Sequence, residues 1–387
     1  MKSEDDIVVN GVLNLNPGKE FDENNRFWQG CPTIARTRGG RLYAGWYAGG
    51  TREPSLYNYN VLVKSDDNGR TWSRPVLVIP SLKDDIICCI DIQLFIDPSD
   101  RLWMFWTQRD FHYEFTDERH LSTLAAVCDD PDAGELKFSE PVFVTPGFLR
   151  CQPTVLNDGR WMLCAYDFRE GDYHYSVSND AGASWERRTG ARRCCARNFD
   201  EPMILERRDG SLWFLARTAV GVGFLAEAES FDGGASWGES RLTDIADPSA
   251  RFFLRRLKSG RVLLVKNDSR GQLRTMKERH HMTAFLSEDD GRSWCGSMVI
   301  DPGDSSYPDA VGDDDGNIYL VHDRGRFSFR EIVISRFTEK DILAGRLTEH
   351  SSFVNQIISK APAIPQNKEL YEQQKAEDSE FIRKYFS

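Results

Sequence analysis

FDEPMILERRDGSLWFLAR, Phe199 to Arg217, decides the fold. An acid and a proline open it, and an apolar run follows. A charged turn around Asp209-Gly210 interrupts the run, and a second apolar run ends on arginine. Two short apolar runs about a polar, Gly-containing turn predict a β-hairpin. Other copies of the turn and second strand read GGRLYAGWY (39–47), SDRLWMFWT (99–107), DGRWMLCAY (158–166), SGRVLLVKN (259–267) and DGNIYLVHD (315–323). Aligned on the second residue, the six copies fall on Gly40, Asp100, Gly159, Gly210, Gly260 and Gly316, at steps of 60, 59, 51, 50 and 56 residues. A period near 50 residues built from short strands predicts an all-β fold, a six-bladed β-propeller of four-stranded blades.

Composition agrees. The 387 residues include ten Trp, and the apolar segments are short, which suits many small strands. The net charge of −11, with no basic block, argues against nucleic acid and anionic membranes as partners. The acidic start MKSEDDIVVN lacks the apolar core of a signal peptide, and no apolar run is long enough to span a bilayer. The nine cysteines lack zinc-like spacing, so reduced thiols and a cytoplasmic location are expected. No cofactor or metal motif is present; His280-His281 stand without metal-ligand spacing.

A second repeat runs out of phase with the first. It is Ser-x-Asp-x-Gly-x-Thr/Ser-Trp, at Ser65–Trp72, Ser178–Trp185, Ser230–Trp237 and Ser287–Trp294. The Asp can accept turn N–H bonds and the Gly can take φ > 0. This motif is the Asp box, and a decayed copy is expected in Cys128–Phe138. On these four boxes, residues 28–338 resemble the sialidase (neuraminidase) superfamily of six-bladed propellers. In that family the box is structural. The sixth repeat has no box and is one strand short. The strand Ile7–Leu15, within an N-terminal segment 1–27, is expected to close it. Residues 339–387 read as a helical tail, with oligomer formation through it as a further expectation.

Stepping nine residues back from each aligned position gives Cys31, Asp91, Arg150, Glu201, Arg251 and Tyr307. The proline in the third copy suggests a shorter turn, and correcting for it replaces Arg150 by Gln152. Stepping seven forward gives Tyr47, Thr107, Tyr166, Arg217, Asn267 and Asp323. Acids, arginines and tyrosines converging at one level of the repeat predict a site for a polar ligand.

The sialidase resemblance implies roles for these residues. Ser306-Tyr307-Pro308-Asp309 is similar to the family's nucleophile segment, so Tyr307 would be the nucleophile. Glu201, in Asp200-Glu201-Pro202, would be its base. Arg217 and Arg279 would bind the substrate carboxylate, and Asp323 would brace the arginine site. A neutral Tyr activated by Glu avoids repulsion from a sialoside carboxylate. The pattern also departs from the family. Its first inner strand carries an arginine where this chain has Gly30-Cys31-Pro32; Arg251 is the expected substitute. Its general acid is an Asp before the first box; here Glu53 is the sole acid between Leu42 and Ser65, with Asp91 as rival. Gln152, Tyr47 and Asn58 complete the expected binding residues. The resemblance implies a retaining exo-glycosidase acting on a terminal acidic sugar of an oligosaccharide or glycoconjugate. A propeller polysaccharide lyase, an inverting hydrolase and a non-catalytic carbohydrate-binding propeller are the alternatives.

Overall fold

The computed structural model describes residues 12–169, 171–196, 199–268, 279–362 and 365–386. Six four-stranded sheets carry these residues, the blade and strand counts of the expected propeller. The first runs Gln29–Arg36, Leu42–Ala48, Tyr59–Ser65 and Leu77–Pro80; the second runs Ile87–Ile96, Leu102–Asp110, Leu121–Cys128 and Val142–Pro146. The third comprises Thr154–Val155, Trp161–Leu163, Asp172–Ser178 and Glu186–Arg192, and a two-residue pairing of Phe148–Leu149 with Ala165–Tyr166 lies beside it. The fourth runs Met203–Glu206, Leu212–Ala216, Phe224–Ser230 and Arg241–Ala246; the fifth runs Phe253–Arg256, Val262–Asn267, Met282–Ser287 and Gly296–Asp301. The sixth runs Ser305–Gly312, Asn317–Arg324, Glu331–Thr338 and Phe353–Lys360.

The hairpin turn is the same in all six copies. The residue three before each aligned position donates its N–H to the carbonyl one after it, and the aligned residue donates back. Thr37/Arg41, Asp97/Arg101, Leu156/Arg160, Arg207/Ser211, Leu257/Arg261 and Asp313/Asn317 are the pairs. Each aligned residue has φ between 64° and 97°, which Gly reaches at no steric cost. The third turn is therefore not shorter than the others, and stepping back nine residues needs no correction there.

Each Asp box is a closed turn. In the first, Asp67 accepts from the Thr71 amide at 2.9 Å and its hydroxyl at 2.6 Å, while Ser65 Oγ accepts from Gly69 N at 3.0 Å. Trp72 Nε1 donates to the Gly69 carbonyl. The boxes at Asp180, Asp232 and Asp289 repeat the Asp and Ser bonds. Residues 129–141 lie where the second sheet would carry a box.

The sixth sheet differs from expectation. Its fourth strand is Phe353–Lys360, from the segment read as helical tail. A short helix α1, Glu339–Ala344, takes the place of the box, started by a Thr338/Asp341 capping box and ended by Gly345 at φ 67°. Most of Ile7–Leu15 lies outside the described residues; Asn14 bridges to Val78 in the first sheet. A second helix, α2, spans Lys368–Tyr385.

The chain falls into two compact units, Met1–Gly147 with Val321–Ile334 and Gln356–Ser387, and Phe148–Leu320 with Ser335–Asn355. The first packs Tyr43, Leu62, Ile92, Met104 and Trp106 into one core and Trp46, Val61 and Ile332 into another. The second packs Leu263, Met282, Leu286, Leu320 and Phe337. Trp46, Trp103, Trp106 and Trp213 are buried, as expected of core residues. All nine cysteines are free.

Candidate active site

The residue nine before the turn stands at positive φ in four copies: Cys31 (58°), Asp91 (58°), Glu201 (42°) and Tyr307 (56°). In the first and second sheets the pairing register shifts there, between Gly30 and Thr33 and between Ile90 and Gln93. A non-Gly residue in this region costs about 1–3 kcal/mol and marks a bulge that re-aims its side chain. In these four copies the repeat therefore turns one polar or sulfur side chain out of the regular pleat.

In the second unit, Glu201 and Arg217 form an ion pair of 2.7 Å with both side chains at most 2% exposed. They lie at opposite ends of the hairpin that opens the sequence reading, and Arg217 N donates to the Asp200 carbonyl at 2.8 Å. Burial alone would raise the Glu201 pKa. The Arg217 and Arg150 charges, with hydrogen bonds from Arg217 and Tyr307, outweigh burial and hold it below the usual carboxylate value. Burial likewise works against the Arg217 charge, and Glu201 more than restores it. The Tyr307 ring is buried, with the guanidinium carbons of Arg150 and Arg279 at 4.9 and 5.9 Å from its centre. Ser249 links the two expected carboxylate-binding arginines. Its Oγ accepts from Arg217 Nε at 3.2 Å, and its carbonyl accepts from Arg279 Nη2 at 2.8 Å. Behind Glu201, Arg193 pairs with the buried Asp200 at 2.8 Å. Asp247, also buried, has its pKa pushed up to about 6 by burial, against the Ala250 amide and the charges of Lys266, Arg217 and Arg279.

Three residues stand differently from the sequence reading. Arg150, set aside for Gln152, lies over Tyr307. Gln152 instead accepts a hydrogen bond from Arg255 and approaches Asp309 at 3.5 Å. Arg251 is not a spare carboxylate ligand. Its guanidinium is fully buried and donates to the carbonyls of Arg150, at 2.9 and 2.7 Å, and of Pro308, and to Asp309 at 3.3 Å.

In the first unit, Asp323 Oδ2 accepts from Cys31 N at 2.9 Å and from Arg326 Nη2 at 2.7 Å. Arg326 also reaches Glu53 at 2.8 Å, and the Tyr47 hydroxyl donates to Glu53. Burial drives the Tyr47 pKa well up, and Cys31, Glu53 and Asp91 add to it. A Cβ on Gly30 would stand 2.9 Å from Arg326 Nε and 3.1 Å from Asp323 Oδ2. Where the resembling family has an arginine on this strand, Gly30 leaves room for the guanidinium of Arg326. Asn58 braces the loop that carries Glu53. It donates to the carbonyls of Gly49 (2.6 Å) and Arg52 (3.1 Å) and accepts from Ser55 N (2.7 Å). The base of the loop rests on α2, where Asp378 accepts from Thr51 N at 3.0 Å, from Thr51 Oγ1 at 2.7 Å and from Ser55.

Sequence reading missed Ser249, Asp247 and Arg326. Ser249 and Asp247 sit in the link between the fourth and fifth sheets, and Arg326 sits in the turn after Arg324, so none falls on a repeat position. Arg150 was signalled by the uncorrected nine-residue step. Among the described residues no cluster of His, Cys, Asp and Glu is arranged to hold a metal ion.

The family described as BNR repeat-like domain matches residues 40–320. Over 157 residues the chain is 28% identical to a sialidase of Micromonospora viridifaciens; the match covers 38% of this chain and 23% of that relative, under a quarter of its length. The intramolecular trans-sialidase from Ruminococcus gnavus, solved with oseltamivir carboxylate, superposes with a TM-score of 0.65 at 16% identity, over 85% of this chain and 98% of that one. The NanB sialidase from Streptococcus pneumoniae gives 0.63 at 15%, over 88% and 69%. A protein of unknown function from Dyadobacter fermentans gives 0.63 at 18%, over 78% and 92%. At these identities the structural likeness shows a shared fold. The family match runs through most of the chain, from the turn of the first repeat to the second strand of the sixth: the chain belongs to the BNR repeat-like domain family.

Proposed function

We propose that this protein is a retaining exo-glycosidase that releases a terminal acidic sugar, with Tyr307 as nucleophile and Glu201 as its base. The observation that carries the reading is the buried Tyr307–Glu201–Arg217 arrangement, with Arg150 and Arg279 near the Tyr307 ring. The relatives that bear the name sialidase support the substrate class.

Tyr307 Oη attacks the anomeric carbon as its proton passes to Glu201, and the bond from that carbon to the leaving oxygen breaks. The leaving oxygen takes its proton from a carboxylic acid. Water then attacks the anomeric carbon, giving a proton to the carboxylate that the acid left behind; the bond from that carbon to the Tyr oxygen breaks, and the Tyr oxygen recovers its proton from Glu201. The arginines beside the ring favour the phenolate that forms, so a Glu held at low pKa still suffices as base. Arg217 and Arg279 bind the sugar carboxylate through charge-assisted bonds, in a geometry that Ser249 keeps fixed. Glu53, half-buried and reachable by solvent, is our assignment for the acid, ahead of the buried Asp91.

Turnover of an aryl sialoside tests this, with the anomer released followed by NMR. Tyr307→Phe should lower kcat by a thousandfold or more, on the order of 4 kcal/mol of lost covalent catalysis. An unchanged rate, or release of the inverted anomer, would refute the mechanism.

A further inference from the structure

The second unit holds a cavity of about 490 Å³ that Tyr307, Glu201 and Arg217 do not line. Its wall comes from the first strands of the third, fourth and fifth sheets and the residues beside them, with Met162, Cys164 and Asp309. We propose that this cavity binds a small organic oxyanion, a carboxylate or phosphate of sugar size, through Arg255.

Five arginines enter the wall, against the carboxylates of Glu206 and Asp309. Four are already engaged. Arg207 pairs with Glu229, and Arg256 pairs with Asp290 at 2.7 Å. Arg208 stands 3.7 Å from Asp290 and donates to the carbonyls of Glu288 and Gly260 at 2.6 and 2.7 Å. Arg251 holds the backbone as described above. Arg255 differs: it donates to the amide oxygen of Gln152, and among the described residues it forms no ion pair.

That leaves a guanidinium facing the cavity with an amide oxygen where its neighbours have a carboxylate. Burial pulls the Arg255 pKa down by more than the neighbouring Asp309 carboxylate, which has Arg251 as its ion-pair partner, raises it. Arginine stays protonated in proteins, so the cost of burying the charge is not relieved by losing the proton. A bound oxyanion relieves it, and the planar fork of N–H groups fits two oxygens of a carboxylate or phosphate. The volume lies within the range of small-molecule sites, roughly 300–1,000 Å³. Met203 and Leu254, both buried, give the wall apolar surface for the body of the ligand. The site needs nothing from the glycosidase reading and stands whether or not that reading holds.

Calorimetric titration with inorganic phosphate at low ionic strength tests the proposal in the full chain. Saturable binding is expected in the wild type and in Arg279→Met. It should weaken about tenfold or more in Arg255→Met, the loss of one charge-assisted contact. Equal affinity in Arg255→Met, or no saturable heat up to about 10 mM phosphate, overturns it. Crystals of the wild type soaked in selenate give a readout independent of any variant's folding. An anomalous peak beside Arg255 supports the site; peaks beside Arg217 or Arg279 alone refute it.

Discussion

Replacing Glu201 by Gln probes the centre of the proposed site. Glu201 and Arg217 are 2.7 Å apart and at most 2% exposed, so the variant leaves the buried guanidinium facing a neutral amide, with Ser249 Oγ still accepting from its Nε. Removing one partner of a buried pair costs about 3–5 kcal/mol. Gln keeps an acceptor for Arg217, which sets the expectation near the lower bound, about 3 kcal/mol. With a urea slope of about 3 kcal/mol per molar, the midpoint should fall by roughly 1 M. Arg217→Met and the double variant complete a cycle whose coupling should be about 2 kcal/mol. The pH dependence carries a sign. Glu201 has a folded pKa below its unfolded value, so its stabilisation is complete above pH about 4.5 and is lost as pH falls through the folded pKa. Asp247 runs the other way: raised to about 6, it favours the folded state at low pH and loses that contribution as pH rises through 6. The wild type minus Glu201→Gln difference isolates the first effect, and it should shrink as the solution is acidified below pH 4. An unchanged urea midpoint, a coupling below about 0.5 kcal/mol, or a difference that grows toward low pH would each refute this account of the pair.

Gly291 and Gly316 both stand near φ 80°, yet a Cβ on Gly291 would meet the Trp213 ring at 2.4 Å and one on Gly316 would meet nothing within 4 Å. Gly291→Ala should therefore lower the melting temperature by several degrees more than Gly316→Ala, about 1–3 kcal/mol of overpacking beyond the shared backbone strain; equal losses would show that the box does not pack as described. Asp378→Ala removes three hydrogen bonds from the loop that carries Glu53. It should speed amide exchange at Thr51 by at least tenfold, read by hydrogen–deuterium exchange, and retained protection there would mean that α2 does not brace the loop.

What could be read in advance follows from the range of the forces involved. Hairpin turns and Asp boxes are closed by bonds between residues within a few positions of one another, so Asp, Gly, Ser and Trp write them directly into the sequence. Glu201, Arg217 and Tyr307 lie at fixed steps from those turns, so counting reaches the three residues that the structure brings together. The same counting found Arg150, until a proline was taken to shorten a turn that Leu156 and Arg160 close like the rest. The sixth sheet was misread because α1 separates its fourth strand from the third, beyond the reach of any local pattern. What counting does not supply is the engagement of each side chain. Arg217 and Arg251 are both arginines at the edge of a hairpin, and both are buried. Arg217 has a carboxylate at the opposite end of its own hairpin, while Arg251 faces the carbonyls of residues 101 and 57 positions away. One is therefore half of a buried ion pair, and the other a strut for the backbone that carries Tyr307 and Arg150. The difference lies in long-range partners, so an arginine found at the right level of a repeat is a candidate ligand only after its own hydrogen bonds have been counted.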